Sequence, residues 1–279
     1  MADLGRILIS GGHGMIGSNL DFGIKPDKSE FDVTNPESIS LACDKYNPSA
    51  ILSLSSINIR DSEENPLNAY RVNSIGVYHL AREAKKRGIP LIMLSTGSVF
   101  NGSIKDSFNE DSFPNPVNIY AQTKYIAEVF ALGSSDRNLV IRTGWVFGTS
   151  KDSKKGVFDK MLDLVMDKDE IIATYDQEGS PTYIKDLVTE IKKLISRNCS
   201  GIYHVANQGR ASAVEFVEEA IRYAGRNIRI KRKTVAEFSS KVKRSPSECL
   251  NSNKIKLRSW QEALEEHISS NNKKFKKLF

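Results

Sequence analysis

A short apolar segment that runs directly into a glycine-rich turn constrains the fold of this chain most strongly. The segment is Arg6–Ser10. The turn holds three glycines at GxxGxxG spacing, Gly11, Gly14 and Gly17. Two apolar residues, Met15 and Ile16, lie between the second and third of these glycines. Glycine is needed where a backbone turns tightly against a pyrophosphate, because a Cβ atom would collide there. The helix expected next would offer unpaired N–H groups to the phosphates. The pattern predicts a dinucleotide-binding site, and the alternative is a glycine-rich loop without a ligand. A P-loop is excluded because no Gly-Lys-Ser/Thr follows.

Short apolar runs alternate with helical patterns through the first half of the chain. The further predicted strands are Ala50–Leu54, Pro90–Leu94 and Asn138–Arg142, and the predicted helices are Asn35–Tyr46, Asn65–Arg87 and Tyr120–Gly133. This alternation is typical of βαβ units and predicts an α/β fold with a Rossmann-type, doubly wound parallel sheet in residues 1–150. Residues 151–279 are expected to form mainly a smaller C-terminal α/β substrate lobe, with part of 170–205 returning to the first domain.

The stretch between the glycine turn and Asp32, the acidic residue expected at the end of the second strand, is short. Only 14 residues separate Gly17 from Asp32, too few for a full helix, a strand and two loops. The first helix is therefore expected to be cut to about two turns, or the second strand to be vestigial. Lys25 and Lys28 could meet a 2′-phosphate or lie in a solvated loop, so the sequence leaves NADPH and NADH both open as cofactors.

Tyr120 and Lys124 form a YxxxK motif in a predicted helix. Residues at i and i+4 share a helix face, so the phenol and the ammonium would point into one space. A nearby lysine cation is expected to lower the pKa of the phenol, which could then give a proton to a carbonyl oxygen while hydride reaches the carbonyl carbon. Thr96 follows the apolar strand Pro90–Leu94, at the edge where a parallel sheet binds its ligand. These three residues are the predicted catalytic set.

Composition excludes several classes of protein. With 39% hydrophobic and 27% charged residues, the 279-residue chain is globular rather than disordered, collagen-like or coiled coil. No apolar run approaches the ~18 residues of a membrane span, and the start lacks the basic region of a signal peptide. Three dispersed cysteines indicate a reducing compartment, predicted to be the cytoplasm, and four dispersed histidines give no metal constellation.

The whole chain resembles the dTDP-4-dehydrorhamnose reductases, which belong to the extended short-chain dehydrogenase/reductase superfamily and make dTDP-rhamnose. The segments that carry the resemblance are Phe31–Thr34, Ser55-Ser56, Val72-Asn73, Leu94–Gly102, Tyr120…Lys124, Arg142–Gly148, Asp176–Tyr183 and Gly201–His204. The resemblance implies an NAD(P)H-dependent oxidoreductase that reduces the C4 carbonyl of a nucleotide-diphosphate 4-keto-6-deoxysugar. It also implies that relatives are often homodimers.

The resemblance also implies a role for individual residues. Thr96, Tyr120 and Lys124 would be catalytic, with Tyr120 and Lys124 also at the cofactor. The glycine turn would hold the pyrophosphate, and the remaining cofactor residues would be Asp32, Val33, Ser55, Ser56 and Asn73. Ser98 and Trp145 would lie on the substrate side. His204 would be structural rather than a metal ligand.

The chain departs from the family pattern at several places, which include the shortened first helix and Ser55-Ser56, where the family has Ala-Ala. The family usually has Ser-Thr-Asp-Tyr-Val-Phe where this chain has Ser95–Phe100, so Gly97 and Ser98 replace two residues expected to contact the sugar. A C-terminal Arg-Pro-x-x-Ser-x-Leu pattern is present only as Arg244–Leu250 (RSPSECL). These changes favour a different 4-keto sugar over the standard substrate.

Two other interpretations remain open from the sequence. One is an epimerase or dehydratase of the same superfamily that retains its NAD. The other is a non-catalytic nucleotide-binding regulatory subunit, since relatives of the family act as partners of methionine adenosyltransferase.

The net charge of +6 is too mild to indicate nucleic acid, and it is unevenly distributed. Residues 226–279 hold 15 basic and 5 acidic residues, a charge of +10, whereas the other 225 hold 25 and 29, a charge of −4. A positive lobe would favour capture of a dianionic sugar nucleotide. The basic tail Asn271–Phe279 is expected to be solvated, so neither nucleic acid nor membrane is a predicted partner.

Overall fold

The computed structural model describes residues 3–103, 107–148, 155–238 and 242–270. Its α-helices are α1 (Pro36–Tyr46), α2 (Ile59–Glu64), α3 (Pro66–Ala69), α4 (Gly76–Arg87), α5 (Ile119–Ser134), α6 (Val157–Asp167), α7 (Ile184–Ser196), α8 (Ala213–Ala224) and α9 (Trp260–Ser270). Its strands are β1 (Ile7–Ser10), β2 (Ala50–Ser53), β3 (Leu91–Thr96), β4 (Leu139–Thr143), β5 (Trp145–Phe147), β6 (Glu170–Thr174), β7 (Glu178–Gly179), β8 (Pro181–Tyr183), β9 (Gly201–Val205), β10 (Ala211–Ser212) and β11 (Arg229–Lys233). The expected boundary at residue 150 and the tail Asn271–Phe279 lie outside the described residues.

Five strands form one parallel sheet in the order β1-β2-β3-β4-β9. Side chains alternate between its faces, so Ile7 and Ile9 enter one apolar core and Leu8 enters the other. Helices α1, α4 and α5 contribute to the core on the Leu8 face, and α7 contributes to the core on the opposite face. This arrangement confirms the predicted Rossmann-type fold.

The stretch between Gly17 and Asp32 is shortened in both of its elements. A single 3₁₀ turn, Gly17–Asn19, stands in place of the first helix, so the expectation of about two helical turns is wrong. The second strand is reduced to one parallel bridge between Ile24 and Leu8. In this bridge the Ile24 N–H donates to the Ile7 carbonyl at 2.7 Å. The prediction of a vestigial second strand is confirmed, and its cause is the small number of residues available.

The predicted helix Asn65–Arg87 is a continuous helical run with a π-helical segment, Tyr70–Ile75, between α3 and α4. Two polar side chains of this segment bind α5. The Asn73 amide donates to the Thr123 hydroxyl at 3.0 Å, and the Ser74 hydroxyl donates to the Thr123 carbonyl at 2.8 Å. Such π-helical turns often occur where a helix positions functional groups.

The second half forms three small two-stranded sheets, β5–β8, β7–β10 and β6–β11, and returns β9 to the central sheet. Strand β11 is rich in lysine and arginine, and three of these cations are paired with carboxylates. Arg229 and Lys231 both lie within 3.7 Å of the Glu170 carboxylate, and Arg232 pairs with Glu218 at 2.5 Å. These ion pairs reduce the positive field that this part of the lobe offers to an anionic ligand. None of the helices in the described ranges is long and apolar enough to cross a membrane.

A buried ion pair joins α5 to the central sheet. Arg142 of β4 donates from Nη2 to Glu128 Oε2 at 2.6 Å and from Nε to Oε1 at 3.0 Å, and each side chain is only 2% exposed. Ser95 of β3 donates to the same carboxylate. His204 Nδ1 lies 2.8 Å from the Asn251 carbonyl, so it carries the proton, and Nε2 accepts from Arg142 at 3.4 Å. His204 therefore belongs to a structural polar network.

Removing the cation of this pair should destabilise the fold strongly. Arg142→Met leaves the Glu128 carboxylate buried without its partner, and we expect a loss of about 3–5 kcal/mol in the free energy of unfolding. The control is Arg232→Met, whose ion pair is 62% and 43% exposed, and which should cost less than about 1 kcal/mol. Urea denaturation measures both, and equal small losses would contradict the account.

Candidate active site

The glycine turn packs directly against the loop that follows β2. Gly11 has a φ of +70°, and a Cβ atom at this position would lie 2.7 Å from the Ser55 nitrogen. A Cβ at Gly17 would lie 2.5 Å from the Gly12 carbonyl oxygen. Both positions therefore require glycine, and the two loops form one surface at the carboxyl ends of β1 and β2.

Two N–H groups of the turn are available to a ligand. Within the described residues, the N–H groups of Met15 and Ile16 donate to no protein acceptor, whereas the Gly14 N–H is used by the Gly11 carbonyl at 3.0 Å. Successive unpaired N–H groups at a tight turn form an anion-binding concavity. The turn therefore fits the pyrophosphate of a dinucleotide. The expectation that the N-terminus of a helix offers its N–H groups to the phosphates is wrong, because only a three-residue 3₁₀ turn follows the glycine turn.

Asp32 and Val33 are both engaged in local structure. Asp32 Oδ1 accepts from the backbone N–H and the hydroxyl of Thr34, at 2.9 and 2.8 Å, in the turn before α1. The Val33 side chain is buried, and a Cβ at Gly76 would lie 2.9 Å from its Cγ2 atom. Contact of these residues with the adenosine stays a prediction.

The two lysines of the same stretch lie in different environments. Lys25 Nζ donates to the Leu20 carbonyl at 2.6 Å, and its aliphatic part lies against Gly12. Burial lowers the pKa of Lys25. Lys28 is exposed. Lys25 is therefore the lysine of this pair that packs against the glycine turn.

Asn73 fixes the loop that carries Ser55 and Ser56. Its Oδ1 accepts from the Ile57 N–H at 2.7 Å, and its amide donates to the Ile57 carbonyl at 3.1 Å. Asn73 is fully buried, so it acts on the predicted cofactor cleft by positioning this loop. The Ser55 backbone lies against Gly11, and the Ser56 hydroxyl interacts with the phenol of Tyr120 and acts to lower its pKa.

The structure brings the three predicted catalytic residues to one end of β3. Thr96 is the last residue of β3, and Tyr120 and Lys124 lie in the first two turns of α5. The hydroxyls of Thr96 and Ser56 both interact with the Tyr120 phenol and act to lower its pKa. Lys124 Nζ donates to the Leu94 carbonyl at 2.6 Å. A carbonyl compound held here would meet the phenol and the threonine hydroxyl together.

Burial sets the protonation state of the tyrosine and the lysine. It raises the pKa of Tyr120 to about 12, and the Glu248 carboxylate adds to this rise. It also lowers the pKa of Lys124 to about 8, against the opposing effect of Glu128. The expectation that Lys124 lowers the pKa of Tyr120 is wrong in this structure, since Lys124 binds the Leu94 carbonyl instead. A phenol with this pKa keeps its proton at neutral pH and is suited to donate it.

Ser98 and Trp145, predicted to lie on the substrate side, surround a carboxylate that the sequence analysis did not assign. The Trp145 Nε1–H donates to Glu248 Oε2 at 3.3 Å. The Ser98 hydroxyl also interacts with this carboxylate and acts to lower its pKa. Thr96 Oγ1 donates to Ser98 Oγ at 3.2 Å, so Ser98 links Thr96 to Glu248.

The segment Asp176–Tyr183 supports this side of the site from behind. The Gln177 amide donates to Glu248 Oε1 at 3.5 Å. The Ser180 hydroxyl accepts from the Leu250 N–H at 2.9 Å, and the Glu248 N–H donates to the Glu178 carbonyl at 2.9 Å. In the sequence, Glu248 was marked only by its position in Arg244–Leu250, a segment that departs from the family pattern.

Comparisons with known proteins agree over nearly the whole chain. The family model described as the RmlD substrate binding domain matches residues 5–272. The spore coat polysaccharide biosynthesis protein SpsK of Bacillus subtilis is 30% identical over 277 residues, covering 94% of this chain and 96% of that protein. The dTDP-4-dehydrorhamnose reductase of Sinorhizobium fredii is 27% identical over 283 residues, covering 92% and 95%. The crystal structure of a dTDP-4-dehydrorhamnose reductase from Bacillus anthracis in complex with NADP has a TM-score of 0.89 at 28% identity, covering 96% and 100%.

Adding a methyl group to the glycine turn should weaken cofactor binding. In Gly17→Ala the new Cβ would collide with the carbonyls of Gly11 and Gly12, so we expect about a tenfold or larger loss of NADPH affinity. The control is Gly133→Ala in α5, where a Cβ meets nothing within 4 Å. Fluorescence titration with NADPH measures both variants, and equal affinities would contradict the assignment of the turn.

Proposed function

This chain belongs to the RmlD substrate binding domain family, and we propose that it reduces the C4 carbonyl of a nucleotide-diphosphate 4-keto-6-deoxysugar. It is an NAD(P)H-dependent oxidoreductase of the sugar-nucleotide reductase class. The observation that carries the proposal is the convergence of Thr96, Tyr120 and Lys124 at the end of β3, next to the glycine turn.

The cofactor, when bound, supplies the hydride that reaches C4 of the sugar. Gly11, Gly17 and the free N–H groups of Met15 and Ile16 would hold its pyrophosphate. The loop that carries Ser55 and Ser56 would form the adjoining wall of the cleft, next to Tyr120. The glycine positions leave room for the phosphates that a Cβ atom would fill.

The protein supplies the proton of the reaction. Tyr120, protonated at neutral pH, donates its hydroxyl proton to the oxygen of the C4 carbonyl as the carbon receives hydride. The products are a C4 hydroxyl group and a phenolate at Tyr120, which regains a proton from solvent before the next cycle. The Thr96 hydroxyl orients the carbonyl, and the Lys124 ammonium would hold the ribose of the cofactor, as the family resemblance implies.

Lys124 should set the alkaline limit of activity. Its pKa is lowered to about 8, so the ammonium is present below this pH and is lost as the pH rises through it. Tyr120, with a pKa of about 12, stays protonated over the same range. We therefore expect kcat/KM for NADPH to fall above a pH of about 8.

The variant that tests this limit is Lys124→Arg. The guanidinium stays charged at every pH of the assay, so the alkaline fall should disappear even though the maximal rate is lower. A fall near pH 8 that persists in Lys124→Arg would assign the limit to another group.

Removing the phenol hydroxyl should remove most of the catalysis. We expect Tyr120→Phe to lower turnover of dTDP-4-dehydrorhamnose by about 10²- to 10⁴-fold, the usual contribution of a general acid, with NADPH affinity retained. Tyr125→Phe, on the same helix, is the matched control and should keep the rate of the unmodified protein. Wild-type turnover in Tyr120→Phe would overturn the mechanism.

The stoichiometry of cofactor consumption separates the remaining interpretations. A reductase oxidises one NADPH or NADH for each sugar reduced, whereas an epimerase or dehydratase that retains NAD consumes none. A regulatory subunit would bind the dinucleotide without any effect of sugar nucleotides on its thermal stability. Assembly as a homodimer stays a prediction, which size-exclusion chromatography with light scattering tests.

A further inference from the structure

Glu248 is a buried carboxylate whose hydrogen-bond partners are all neutral. It is only 6% exposed and accepts from the Trp145 indole at 3.3 Å and from the Gln177 amide at 3.5 Å. The neutral Ser98 hydroxyl also interacts with the carboxylate and acts to lower its pKa. Across the described part of the chain no lysine or arginine lies within ion-pair distance of it, and Arg244 acts on it only at longer range. Its surroundings therefore lack a neutralising cation.

This environment is costly for a carboxylate. Burial raises the pKa of Glu248, which means that its charged form is poorly solvated by the protein alone. Two carboxylate oxygens can accept about four hydrogen bonds, and the contacts to Trp145 and Gln177 are long. A ligand that brings a further donor would relieve this cost.

Glu248 lies beside the reacting group. Its charge contributes to the raised pKa of Tyr120, and Ser98 connects it to Thr96. Ser98 and Trp145, which both interact with Glu248, are the two residues that the family resemblance places on the substrate side. The carboxylate is thus within the wall of the site that would face the sugar.

The backbone holds Glu248 in this position. Its N–H donates to the Glu178 carbonyl at 2.9 Å, and a Cβ atom at Gly97 would lie 2.6 Å from its carbonyl oxygen. Gly97, Ser98 and Glu248 are all positions at which the chain departs from the family pattern, and they contact one another in the structure. Absence of a side chain at Gly97 lets the Glu248 segment approach the end of β3.

We propose that Glu248 is a specificity-determining residue that accepts a hydrogen bond from a donor on the sugar ring close to the C4 carbonyl. The substrate is therefore a nucleotide-linked 4-keto sugar with a hydroxyl or an amino group at that place. This inference rests on the proposed function, since it requires the sugar to lie between Tyr120 and Trp145.

The test compares the affinity for a sugar nucleotide with the affinity for its nucleotide alone, using the protein saturated with NADP⁺. The probes are dTDP-rhamnose and dTDP, titrated by calorimetry. We expect Glu248→Ala to weaken dTDP-rhamnose binding roughly 10- to 100-fold, as for loss of a hydrogen bond to a charged group, and to leave dTDP binding unchanged. A merely structural role would weaken both ligands together or neither, and either result would overturn the proposal.

Two further variants keep the test decisive. Glu248→Gln preserves the shape of the side chain and one acceptor oxygen, so it should fold if Glu248→Ala does not, and it should weaken dTDP-rhamnose severalfold. An equal affinity of Glu248→Gln and the unmodified protein for dTDP-rhamnose would contradict the role of the carboxylate. Glu178→Gln is the control, because its carboxylate is partly exposed and pairs with Arg210 at 3.8 Å.

A dTDP-linked 3-amino-3,6-dideoxyglucose distinguishes the two possible donors, because its amino group lies on the carbon next to C4. If the natural donor is an ammonium group, the amino sugar nucleotide should bind more tightly than dTDP-rhamnose. It should also lose more affinity than dTDP-rhamnose in Glu248→Gln, because the amide carries no charge. A hydroxyl donor would give the reverse order. These are binding measurements, so a protein that binds these ligands as expected but turns over no sugar would disprove the reductase activity and not the role of Glu248.

Discussion

The site depends on the buried polar contacts that bind α5 to the central sheet. Lys124 donates to the Leu94 carbonyl at 2.6 Å, and one turn later Glu128 pairs with Arg142 and accepts from Ser95. Each of these groups loses water when it is buried, and each is costly unless its partner is in place. The contacts therefore fix the rotation of α5 about its axis, and that rotation brings Tyr120 to the end of β3.

The same burial that fixes the helix also prepares the chemistry. Desolvation raises the pKa of Tyr120 and lowers that of Lys124, so the phenol is held as an acid and the lysine titrates closer to neutrality. The cofactor side is built by a different means. There, two loops are in close contact because Gly11 and Gly17 lack side chains. The N–H groups of the turn that donate to no acceptor among the described residues would take the proposed role that a long helix usually shares.

The sheet and the catalytic set could be predicted because their signals are local. Buried parallel strands such as β2 and β3 are short continuous apolar runs, and the spacing of Tyr120 and Lys124 fixes a helix face directly. The missing first helix, the π-helical segment and Glu248 depend on other constraints. Glu248 is 103 residues from Trp145 and 71 from Gln177 in the sequence, so no spacing rule connects them. The raised pKa of Tyr120 likewise follows from burial, which a motif does not encode.

The most direct test of the central claim follows the hydride itself. The protein would be incubated with NADPH deuterated at the transferred position and with a panel of dTDP-linked 4-keto-6-deoxysugars that includes dTDP-4-dehydrorhamnose. The sugar products would be analysed by NMR and mass spectrometry. The account predicts one deuterium at C4 of the sugar and one oxidised cofactor for each product molecule. Deuterium that stays on the cofactor, with the sugar unchanged or altered at another carbon, would contradict it.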